Sequence, residues 1–192
     1  MQHHAKILRT HLEAAAICRQ TEFGATSAEY IEAERLVLGL RVIPELRAGR
    51  RQQNWVLKLH AYEEFAELNS RAPRENTRNR AALPAPERRM AEWARYQRRL
   101  EYELCRFQKI RLDVSPSFEW DPQQAAWDAR SLSCIRHVST TGQLPHLNVT
   151  DPAEFANARW LGRQLRHLEV GTLLPDRADR LKELLETFKD EL

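Results

Sequence analysis

The chain has 192 residues, enough for one sizeable domain or two small ones, each with a buried core. Its net charge of +3 is too small to demand a polyanionic partner, and no apolar run approaches the ~20 residues of a membrane span. The opening MQHHAKILRTHLE lacks the apolar stretch of a secretory signal, and Cys18, Cys105 and Cys134 form an odd, unpatterned set. These features point to a cytoplasmic protein with reduced, buried thiols and not to a disulfide framework. With six glycines and few long β-branched runs, helices are favoured over sheet.

Residues 1–50 predict two helices, about Ala5–Arg19 and Ser27–Leu40, as an N-terminal extension. Thr26-Ser27-Ala28-Glu29 supplies a candidate capping box for the second. Leu36, Leu40 and Ile43 vaguely resemble the closing segment of a decayed repeat. After the segment around Trp55 comes a polar loop over 71–86, with Arg71, Arg74, Arg78, Arg80 and three prolines, long enough to be expected to move. Met90, Trp93, Gln97, Leu100, Leu104 and Phe107 then alternate steps of three and four, a pattern compatible with one helix from Glu87 to Leu112. Asp121-Pro122 and Asp151-Pro152 each read as an N-cap followed by proline at the first helical position. Gly142 is placed to end the helix begun at Pro122, and Gly171 to break the next. Pro175 can open the last helix, with Leu174, Leu181, Leu184, Leu185 and Phe188 as its apolar stripe.

The chain also repeats itself. With Trp55 set over Trp127, an offset of 72, Phe65 falls on His137, Ser70 on Gly142 and Pro73 on Pro145. After a loop five residues longer in the first copy, Trp93 and Gln97 fall on Trp160 and Gln164, with Arg99 on Arg166. Leucine-rich segments, 104–112 and 173–184, close the two copies. The expected architecture is therefore all-α: two tandem three-helix units, 51–120 and 121–192, behind the extension 1–50.

These residues resemble the helicase-associated domain, a short helical module found in tandem in bacterial proteins, often behind a helicase core. Trp55, Tyr62, Phe65, Pro73, Trp93, Gln97, Arg98 and Leu112 carry the likeness in the first copy. Trp127, Ile135, Gly142, Pro145, Trp160, Gln164, Gly171, Arg177 and Leu181 carry it in the second. It covers roughly 51–192, with departures: Ser70 stands for the turn glycine, Leu165 for an arginine, and His137 for an apolar residue. The resemblance implies three-helix units that bind nucleic acid. It does not imply helicase activity, because no Gly-x-x-x-x-Gly-Lys-Ser/Thr phosphate loop is present.

Charge distribution narrows the candidate site. Residues 71–111 hold twelve basic and five acidic side chains, whereas 121–192 hold nine and eleven, so cationic character is concentrated in the first copy. Arg88, Arg95, Arg98 and Arg99 fall off the apolar stripe and are expected in solvent; Arg74, Arg78 and Arg80 lie on the loop. With Arg163 and Arg166 of the second copy they form the candidate nucleic-acid contacts, DNA being favoured over RNA. Trp55, Trp93, Trp127 and Trp160 read as core more than as base-stacking platforms, given their helical spacing beside Leu and Ala. Gln97 and Gln164 read as internal hydrogen-bond partners, adenine recognition being the alternative.

No catalytic pattern is present. Cys134 and His137 lack the second pair a zinc site needs, and no Gly-x-Ser-x-Gly or Cys/His nucleophile arrangement occurs. No enzyme activity, cofactor, metal or small-molecule substrate is expected. The alternative to nucleic-acid binding is a regulatory module that presents helix faces to a protein partner.

Overall fold

A computed structural model of the chain describes residues 2–19, 24–41, 43, 48–75 and 80–190, with backbone alone at 2, 3, 80 and 187–190. Among these residues the protein is all-α, with eight helices and no strand. It divides into two compact units, Met1–Trp120 and Asp121–Leu192.

The first unit holds α1 (Gln2–Arg19), α2 (Ala25–Val37), α3 (Arg50–Asn69), α4 (Ala85–Arg99) and α5 (Arg106–Asp113). Its N-terminal helices are part of the core, since α2 lies against α3 and α5, and α1 against α5. Ala14, Cys18, Tyr30, Trp55, Leu59, Tyr62, Trp93, Phe107 and Phe118 share one apolar cluster. Leu36 and Ile43 are half-exposed and outside it.

Two local expectations are corrected. The stretch from Glu87 to Leu112 is not one helix: α4 ends at Arg99, a 3-10 turn spans Glu101–Glu103, and α5 starts at Arg106. The restart lets Phe107 and Leu112 reach full burial. The capping box at 26–29 does not form either, because α2 starts earlier, after an extended Gly24. Ser27 is buried instead, and its hydroxyl accepts from the Phe107 N–H at the start of α5 (3.3 Å). A side chain read as a local cap thus satisfies the free amide of another helix.

The second unit is α6 (Pro122–Thr141), α7 (Pro152–Glu169) and α8 (Pro175–Asp190) around Trp127, Cys134, Val138, Trp160, Leu161, Leu181 and Leu184. Asp121 accepts from the Gln123 and Gln124 amides, and Asp151 from those of Ala153 and Glu154. Both caps arise from their Asp-Pro pairs. Gly142 ends α6 in the left-handed region at φ 66°. Ser70 ends α3 in the same region at φ 51°, a conformation that disfavours a side chain. The Phe188 side chain lies outside the described residues.

Candidate nucleic-acid interface

Each unit has a tryptophan pair at its centre. Trp55 and Trp93 lie 6.2 Å apart between ring centroids, and Trp127 and Trp160 5.6 Å apart. All four rings are buried, none more than 8% exposed. The Trp55 indole N–H donates to Gln97 Oε1 at 2.8 Å, and that of Trp127 donates to Gln164 Oε1 at 2.9 Å. A buried indole N–H needs such an acceptor, so both glutamine carbonyls are committed inside the protein.

A second bond recurs that sequence reading missed. Glu87, in the first turn of α4, accepts from the Arg74 backbone N–H at 2.8 Å and pairs with Arg71 at 2.6 Å. Glu154, in the first turn of α7, accepts from the His146 backbone N–H at 3.3 Å and from the Asn148 amide at 2.9 Å. The hydrogen bond from Arg71 holds the Glu87 carboxyl below its ordinary range, and that from Asn148 does the same for Glu154. The signal was available: each glutamate stands six residues before a tryptophan, and each bonded amide follows a proline.

Residues 76–79 of the loop after α3 lie outside the described residues. Its described flank is tied by Arg71 and Arg74 to Glu87, and by Glu75 to Arg98 at 2.6 Å. Arg98 is therefore not a solvated cation. Its Nε donates to the Glu119 carbonyl at 2.6 Å, and its guanidinium lies over the Phe118 ring. With the side chain 15% exposed, Arg98 fastens the end of the first unit to α4.

The other candidates differ in exposure. Arg99 is exposed and lies over Tyr96, 5.4 Å from the ring centroid. Arg88 and Arg95 are half-buried on α4, and Arg74 is exposed beside the Glu87 brace. Arg163 and Arg166 are exposed on α7. Arg78 and the Arg80 side chain lie outside the described residues.

A further set of cations lines a concavity and was not singled out by sequence. A groove of about 530 Å³ opens between α3 and α4, with Arg50, Arg51 and Lys58 on the α3 side and Tyr96 on the α4 side. Trp55 and Trp93 form part of its lining. Arg51 and Lys58 are seven residues apart, two turns on the same face of α3, and Asn54 lies between them. That spacing flanking Trp55 was the available clue. Beside the groove, Tyr96 also lines a hollow with Arg95, Arg99 and Glu92, and another with Lys58 and Arg89.

The densest polar cluster lies elsewhere, deep in the first unit. Arg111, fully buried, donates to Glu34 at 2.9 Å and to both oxygens of Glu63 at 2.8 Å. His11 and His60 contact Glu34 at 3.1 and 2.7 Å, and the Ser115 hydroxyl donates to Glu63 at 2.7 Å. Burial by itself would raise the Glu34 carboxyl, but the Arg111 charge and the histidine bonds outweigh it and hold the carboxyl well below the ordinary range. Arg111 and Glu34 at its centre are fully buried, so this cluster reads as a structural core.

Among the described residues no group of His, Cys, Asp and Glu is arranged to hold a metal, and no helix is long and apolar enough to cross a membrane. Cys18, Cys105 and Cys134 are free; Cys105 is only half-buried, short of the burial expected for all three. No protein-family model, characterised protein or solved structure matches the chain.

Proposed function

We propose that the chain is a non-catalytic nucleic-acid-binding protein of the bacterial cytoplasm, built from two helicase-associated-like repeats that serve alone or as an accessory module of a helicase-like protein. The observation that carries this reading is that Arg50, Arg51 and Lys58 line the α3–α4 groove, with Arg95 and Arg99 lining the hollow beside it. Arginine forks and a lysine head in such an array suit the phosphates of a strand. The repeat reading is supported by two bonds that recur in phase, from indole to glutamine and from glutamate to the backbone amide after the proline.

Fluorescence anisotropy with labelled random-sequence DNA at several salt concentrations tests the function. Binding is expected to weaken steeply as salt rises, because arginine–phosphate contacts release counterions. Replacing Arg51 and Arg99 together by Ala should lower affinity evenly across sequences and reduce the salt slope by about one for each phosphate no longer neutralised. Replacing Arg163 and Arg166 should matter less, since the second unit carries an acidic excess. No detectable binding at low salt would overturn this function.

A protein-partner reading is favoured by one feature of the second unit. Leu147, Val149, Val170 and Leu174 are all more than half exposed there. Loss of nucleic-acid binding together with saturable association through that unit would promote this alternative.

A further inference from the structure

We infer that the nucleic acid held by the α3–α4 groove is single-stranded, with an unpaired base stacked on Tyr96; the inference rests on the nucleic-acid reading above and makes it specific. Four observations converge on Tyr96. It is half-exposed, although neighbours one and three residues away, Gln97 and Trp93, are buried. It lines the groove and both adjoining hollows, so it stands on the ridge between three concavities. The Arg99 guanidinium already lies over its ring, which makes a cation–ring pair on which a third flat group can stack. Across the groove, Arg50, Arg51 and Lys58 face Glu103, the single carboxylate among the described lining residues.

The geometry of charge and ring separates the two forms of nucleic acid. In a duplex the base faces are hidden in the stack, and sequence is reached by inserting a convex element into a groove. Here the cations line one side of a hollow, and the aromatic ring lies on the other side. Such an arrangement of a charged groove with an aromatic platform suits a strand whose bases are free to turn outward. The dimensions agree. Arg51 to Lys58 spans about 10 Å along α3 at 1.5 Å per residue, the reach of a short run of strand phosphates. Trp55 and Trp93 do not serve as platforms, because both rings are buried and their edges are engaged in the core.

The test uses the full chain with a fluorescein-labelled twelve-nucleotide oligo(dT) strand and a duplex of the same length, titrated by anisotropy at two or more salt concentrations. The expected result is tighter binding of the single strand. Tyr96→Ala should weaken that binding roughly ten- to a hundred-fold, with an unchanged salt slope because no charge is removed. Tyr96→Phe should retain most of it. Both variants should fold, since the side chain is half in solvent, and circular dichroism verifies this. Equal or tighter binding of the duplex, or single-strand affinity indifferent to Tyr96→Ala, would overturn the single-strand inference while nucleic-acid binding itself stands. Absence of binding to either probe at low salt would remove the underlying function and this inference with it.

Discussion

The two units share a centre and differ in what surrounds it. Each has a tryptophan pair, an indole-to-glutamine bond and a glutamate bracing the backbone after a proline. The first adds two helices and a buried charge network; the second makes do with three helices and exposed ion pairs such as that of Arg180 with Asp128. The network draws His11 from α1, Glu34 from α2, His60 and Glu63 from α3, and Arg111 from α5. One guanidinium therefore joins helices that are distant in sequence. The lesson is that a similar central pair can support units of different size and polarity, provided that each charge taken into the core has a partner there.

The largest expected effects probe the two centres. Arg111→Ala strands two buried carboxylates and should cost about 3–5 kcal/mol, enough to threaten the first unit. Trp160→Ala should cost about the same in the second unit, the usual range for truncating a buried aromatic. By contrast Arg180→Ala, which breaks an exposed pair, should cost at most ~1 kcal/mol. Urea unfolding followed by circular dichroism and tryptophan fluorescence measures all three. If Arg111→Ala costs no more than Arg180→Ala, the network is not what distinguishes the first unit.

Acid should sharpen the same contrast. The folded protein keeps Glu34 ionised to lower pH than the unfolded chain does, so in acid the unfolded state binds more protons. The stabilisation is fully present above the ordinary carboxylate range and declines as pH falls below about 4. Glu87 and Glu154 are shifted in the same direction, so both units should lose stability in that window. Glu34→Gln should flatten the dependence. Unfolding midpoints measured from pH 6 to pH 3 would expose an unchanged slope, which would contradict the assignment.

A smaller effect separates the two left-handed helix ends. Ser70→Gly should stabilise the first unit by up to ~1 kcal/mol, because glycine adopts positive φ without a Cβ penalty. Gly142→Ser should destabilise the second by a similar amount. Equal midpoints for both variants and the parent would mean that the turn is not strained by its side chain.

The sequence by itself determined the features governed by short-range rules. Asp-Pro starts, the glycine stop at 142 and the three-and-four spacing of Trp93 with its neighbours follow from capping geometry and helical period. The partnership of Trp55 with Gln97 was half legible: the recurring Trp and Gln spacing pointed to both residues, and burial of the indole then requires an acceptor. Ser27 shows the limit, since the local pattern of a capping box was present and the hydroxyl nonetheless went to Phe107, eighty residues away. Arg98 and Arg99 show it again. Both lie off the apolar stripe, yet Glu75, Glu119 and Phe118, brought in by the loop and the end of the unit, enclose only Arg98. The groove and the buried Arg111 network were likewise decided by tertiary structure. Periodicity tells which face of a helix is apolar, but the partner that neutralises a charge comes from another helix, and only packing brings the two together.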